Sequence, residues 1–148
     1  MPMPASAPAE IVEVAEASYH RCHSDAFFRS FYQRLLGSDP RIPPMFATTD
    51  FTKQTKLLQH SIGLLFVFAK RGNPAILDRI AGRHGRAEVN VPADMYPLWV
   101  DSLVETIREY DPRCSPAVEQ AWRQAVAPGI AYLISRYDTP PAAESPPQ

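Results

Sequence analysis

No apolar stretch in this chain approaches the ~20 residues that a membrane-spanning helix needs. The longest, Ile62 to Ala69, is interrupted by Gly63 and followed by Lys70-Arg71. No basic segment followed by an apolar one opens the sequence, so no secretory signal is expected. Cysteine is scarce: Cys22 and Cys114 stand far apart and form no CxxC pair. Two free thiols in a cytoplasmic chain are therefore expected. An excess of charge is missing too. Fifteen basic and 16 acidic side chains leave a formal net charge of -1. That argues against a protein that binds nucleic acid or a membrane surface through bulk charge.

What is present suits one globular domain. Of 148 residues, 45% are hydrophobic and 21% charged, enough to bury a core. The ends differ from the body. Residues 1–9 and 139–148 are rich in Pro, Ala and Ser, lack apolar periodicity and are expected to be disordered tails. The domain then spans residues 10–138, with no internal repeat.

The body reads as helices throughout. A first helix is expected over Glu10 to Arg21, with Ile11, Val14, Ala15 and Tyr19 on its inner side. Ser24 suits an N-cap, with Asp25 in the first turn of a second helix. Phe27, Phe28, Phe31, Tyr32, Leu35 and Leu36 then recur at the spacing of one broad buried face. Gly37 stops that helix, and Ser38 to Phe46 form a proline-broken corner with room for a single helical turn. Asp50 caps a helix to about Lys70, with Phe51, Leu57, Leu58, Ile62, Leu65 and Phe68 as its apolar positions. Arg71-Gly72-Asn73-Pro74 ends it. After Pro92 comes a long helix carrying Met95, Leu98, Trp99, Leu103, Ile107 and Tyr110. Ser115 and Pro116 open the last helix, whose stripe is Val118, Trp122, Val126, Ile130, Leu133 and Tyr137. Pro128-Gly129 is expected to kink it.

Between the two long central helices lies a weak one, Leu77 to His84, closed by Gly85. Ile80 and Ala81 share the face of His84. An imidazole there suits a metal ligand and equally suits a partly buried core histidine. A small bundle has no need of so poor a helix unless something fills the space beside it, which suggests a ligand cavity between helices. His20 and His23, beside Cys22 at the first helix junction, read as incidental.

In order along the chain, Phe31-Tyr32-Gln33-Arg34-Leu35, the corner Asp39-Pro40 to Met45-Phe46, the run Leu77 to His84, and Val91-Pro92 with Tyr96-Pro97-Leu98-Trp99 resemble four landmarks of the globins. The likeness is to bacterial single-domain globins, and to the globin domains of flavohaemoglobins and globin-coupled sensors. It covers nearly all of Glu10 to Tyr137, and Trp122 also fits it.

The resemblance implies an all-α globin fold, a 3-over-3 helical sandwich around haem b (iron protoporphyrin IX). It makes His84 the proximal iron ligand, Tyr32 a distal hydrogen-bond donor and Phe46 a ring packed on the haem. Arg83, with Arg86, becomes a candidate for a haem propionate. Ile80, Val91, Tyr96 and Trp99 become candidates for the proximal pocket. The distal helix stays ambiguous. Counting without gaps from Phe46 places Lys56 and then His60 over the iron, whereas apolar periodicity favours Leu57 and Ser61, with Gln54 one turn earlier. His60 either faces the pocket, even as a sixth ligand, or stands in solvent.

The implied function is reversible binding of O2, NO and CO, with NO dioxygenation or peroxidase-like turnover as a side activity. NO dioxygenation would require an external reductase. The alternatives are a gas or redox sensor acting on a partner in trans, and a six-coordinate electron-transfer globin. A monomer or a homodimer is compatible with either.

Overall fold

A computed structural model of the chain describes residues 7–78 and 92–135. Six α-helices appear among them: α1 Ala9–Cys22, α2 Asp25–Gly37, α3 Ile42–Met45, α4 Phe51–Arg71, α5 Tyr96–Tyr110 and α6 Pro116–Ser135. Residues 75–78 are also helical, and a 3-10 turn, Ala93–Met95, leads into α5. No strand occurs among the described residues. Helix α1 starts at Ala9, one residue inside the expected N-terminal tail.

Local chemistry sets the helix ends. Ser24 Oγ accepts the Phe27 amide at 3.1 Å and so caps α2. Asp50 Oδ1 does the same for α4, accepting from the Thr52 amide at 3.0 Å. Gly72 closes α4 with φ 68°, a left-handed C-cap that glycine adopts without a Cβ clash. Ser115 Oγ accepts the Val118 amide at 3.2 Å at the start of α6. Helix α6 then runs on through Pro128 to Ser135.

Helix α6 packs on α1, α4 and α5, while α2 packs on α5 and α3. The core between them is large and aromatic: Phe27, Phe28, Phe31 and Trp122 are all but fully buried. Burying each such ring contributes roughly 2–3 kcal/mol relative to leaving it exposed. The stripe of α2 is as expected. That of α1 is not. Its buried side is Val12, Ala15, Ser18 and Cys22, while Val14 is 40% exposed and Ile11 and Tyr19 are half-buried. The i, i+3 row through Ser18 wins because Ser18 has a polar partner inside the fold. Its hydroxyl donates to Asp111 Oδ2 at 2.6 Å.

Asp111, the C-cap of α5, is the hub of a clamp. Arg21 Nε and Nη2 each donate to its carboxylate at 2.8 Å, and the Arg113 amide donates at 2.9 Å. The end of α1 is thereby tied to the α5–α6 corner. Charge-assisted, two-pronged pairing of this kind is the strong form of a protein hydrogen bond. The Arg21 guanidinium, foremost, holds the Asp111 carboxyl down to about 2 against the opposing effect of burial.

Candidate functional site

The distal residues expected from the sequence meet where α2, α3 and α4 converge. Tyr32 enters from the buried stripe of α2 and is 6% exposed. Its ring meets Phe46, at the C-cap of α3, with centroids 6.0 Å apart, edge to face. It meets Phe51, the first residue of α4, at 5.2 Å, and Phe46 and Phe51 stack on each other at 5.9 Å. Edge-to-face and offset rings at such separations attract through their quadrupoles. Asp50 fixes the start of α4 and so places Phe51. Phe51 was not among the sequence candidates for the site, although its position directly after the cap and five residues past Phe46 marks it.

On the other flank, Phe31 packs edge-on against both Tyr32, at 5.1 Å, and Trp99, at 5.9 Å. One aromatic wall thus runs from Trp99 on α5 through Phe31 and Tyr32 to Phe46 and Phe51. It joins residues expected on the two sides of the pocket. Tyr96, in the first turn of α5, is buried and half-buried Trp99 lies three residues on.

Two hydroxyls in this region stay protonated. Burial pushes the Tyr32 phenol up to about 12, against a small opposing effect of its bond to Gln54. Burial does the same to Tyr96. Tyr32 is therefore a hydrogen-bond donor at any physiological pH. Its hydroxyl donates to the Gln54 carbonyl at 3.4 Å, long for an O–H···O bond.

Helix α4 carries the remaining candidates and places them on different sides. Its buried residues are Leu58, Ile62, Leu65, Phe66, Phe68 and Ala69. Gln54, Leu57 and Ser61 follow an i, i+3, i+7 row beside that stripe. Gln54 and Ser61 are half-buried, whereas Lys56 and His60 are exposed, one turn apart on another side. Leu57 is 38% and Phe51 37% exposed. Of the three exposed large hydrophobics among the described residues, these two lie in the first two turns of α4. An apolar surface left open beside a buried phenol suits the face of a flat, apolar cofactor such as haem. His84, Ile80, Arg83 and Val91 lie outside the described residues, as do Arg86 and Tyr137.

Elsewhere, no cluster of three or more metal-ligating side chains occurs among the described residues. No described helix is long and apolar enough to cross a membrane. His20 and His23 are exposed, and His23 stacks on Tyr19 at 4.9 Å.

No protein-family model and no curated protein matches the chain. A solved structure does. It is a Pseudomonas aeruginosa PAO1 protein described as structurally highly homologous to a human hemoglobin. It shares 35% identity over 87% of this chain and 99% of its own, with a TM-score of 0.84. The helix order, the aromatic corner and this similarity agree on an all-α globin fold. At that identity and coverage, the chain belongs to the globin family.

Proposed function

We propose that this chain is a haem-binding globin that takes up O2, and also NO and CO, reversibly. The observation that carries the reading is Tyr32. It is a buried, neutral phenol set in an aromatic wall whose neighbours Phe51 and Leu57 remain open. In this reading haem b would be held against Phe46, Phe51 and Leu57, with His84 as the residue that would bind its iron. Ile80, Val91, Tyr96 and Trp99 would be the further candidates to contact it, and Arg83 would be available to a propionate.

When bound, the haem would supply an iron able to take up a diatomic gas. The chain's own residues supply the rest. Phe31, Phe46 and Phe51 fix the ring of Tyr32, so its hydroxyl needs little further ordering. Its long bond to the Gln54 carbonyl is readily given up. The hydroxyl can then donate to the partial negative charge of a gas ligand, as preorganised donors do for developing charge. The apolar wall excludes water and strengthens that bond. Leu57 and Ser61 shape the distal side, while exposed Lys56 and His60 stand in solvent. Tyr32 is thus the principal donor. Turnover of NO and O2 to nitrate needs one further electron per cycle, which an external reductase would supply.

The test is an absorption spectrum of the chain loaded with haem, in its ferric, ferrous and CO-bound forms. A Soret band that shifts on reduction and again with CO is the expected result. His84→Ala should lose that spectrum while circular dichroism keeps its helical form. An unchanged spectrum in the variant would remove His84 as the ligand.

A further inference from the structure

Helix α1 ends in two exposed imidazoles, His20 in its last turn and His23 at its C-cap. Their ring centroids are 6.3 Å apart and the rings stand at 72° to each other. His23 is held by two contacts. Its ring stacks on Tyr19 at 4.9 Å, and Tyr19 is itself set edge-on against Phe66 and the buried Trp122. Its Nδ1 lies 2.9 Å from the Tyr19 carbonyl oxygen. A carbonyl only accepts, so in the neutral ring Nδ1 carries the proton and donates it. The lone pair is thereby left on Nε2. An imidazole that gives its second N–H to a backbone carbonyl is the arrangement that orients metal-bound histidines. His20 makes no hydrogen bond among the described residues, so its ring can turn toward His23. An ion–nitrogen bond of about 2 Å puts the ion about 3 Å from the ring centre, so one ion joins two rings whose centres are about 5–6 Å apart. Rotation of the exposed His20 side chain closes the small remainder.

The neighbouring groups narrow the ligand set. Cys22, between the two histidines in sequence, is buried, and burial pushes its thiol up to about 12, so it offers no thiolate. Glu16, one turn before His20, is taken up by Lys70 at 3.1 Å, and Arg21 is turned to Asp111. Two neutral imidazole nitrogens remain, with water for the other positions. Ligands of that kind suit Zn2+ and Cu2+, whereas Mg2+ and Ca2+ take oxygen.

We propose that His20 and His23 form a two-histidine surface site for a divalent transition ion of the Zn2+ or Cu2+ class, with the Tyr19 carbonyl and ring as its orienting groups. A bound ion would pin the last turn of α1 to its cap. The site is independent of the haem reading.

Zn2+ is the probe, because it does not oxidise thiols. Nitrogen-resolved NMR of the histidine rings in the full chain, slightly above neutral pH, should first show His23 with its proton on Nδ1. Zn2+ should then move the Nε2 signal of His23 and a ring-nitrogen signal of His20 together, saturating at one ion per chain. Calorimetry should show this binding weakened about tenfold in His20→Ala and in His23→Ala, since each loses one of two tethered ligands. His60→Ala, which removes another exposed imidazole, should leave it unchanged. Wild-type affinity in either single variant, or movement of one ring without the other, overturns the shared site. Zn2+ that moves neither ring overturns it as well, and so does a His23 ring that carries its proton on Nε2.

Discussion

Replacing Asp111 by Asn tests the clamp between α1 and the α5–α6 corner. The carboxylate is fully buried, its partner Arg21 only 26% exposed, and it accepts from Ser18, Arg21 and the Arg113 amide. Its carboxyl falls from 3.8 to about 2 on folding. At 1.36 kcal/mol per unit, that shift contributes about 2 kcal/mol at neutral pH. Because the folded-state value is depressed, the contribution is complete above the unfolded value near 4. It declines as pH falls, to about half at pH 3, and is gone below the folded value near 2. Asn keeps the shape, cannot carry the charge, and turns an amide toward the donors of Arg21. Urea titrations followed by far-ultraviolet circular dichroism should show the variant about 2 kcal/mol less stable at pH 7 and about 1 kcal/mol less stable at pH 3. The corresponding fall in Tm at pH 7 is about 6–10 °C for a domain of this size. A gap that is the same at both pH values, or one below about 0.5 kcal/mol at pH 7, would refute the assignment of this stability to the ionised carboxylate.

Tyr32→Phe should raise the O2 dissociation rate about tenfold, the equivalent of ~1.4 kcal/mol for one hydrogen bond. If stopped-flow traces show no change, the donor lies elsewhere, with Gln54, Lys56 and His60 as candidates. His60→Ala should leave the ferrous spectrum as it is, since the side chain is exposed; loss of a six-coordinate band would make it a ligand. Gly129→Ala gains up to ~1 kcal/mol of helix propensity but forces a methyl onto Leu65 and Leu77, both buried. Overpacking of that kind costs about 1–3 kcal/mol. Thermal unfolding should therefore move down by a few degrees, and a rise in Tm would mean that the Leu65 side chain had found another rotamer.

Local features of this fold were legible in the sequence, and long-range ones were not. Ser24, Asp50, Gly72 and Ser115 announce helix ends because each acts on its own backbone within three or four residues. The stripe of α2 is readable because its aromatic residues leave one choice of face. Helix α1 offers two, since Ile11, Val12, Val14 and Ala15 crowd together. Its partner across the fold decides between them, with Ser18 reaching an aspartate 93 residues away. The distal register of α4 posed the same difficulty. Leu57 and Leu58 are adjacent, so composition cannot say which turns inward. Burial selects Leu58 and sets Leu57 and Ser61 on the flanking row. The role of Phe51 in the aromatic corner depends on where Phe46 is carried by the proline-rich turn, which no periodicity describes.

The clamp at Asp111 also has a consequence for the order of events at the ribosome. Helix α1 finds its packing partners mainly in α6, with α4 and α5, and its polar anchor 93 residues downstream. At roughly 5–20 residues per second, synthesis leaves the first helix waiting roughly 5–20 s before Asp111 emerges. A 14-residue helix of this kind is marginal alone in water. Helix α1 is therefore made early in this domain but is among its last parts to dock, and in the interval the face of α4 that it will cover is open to chaperones.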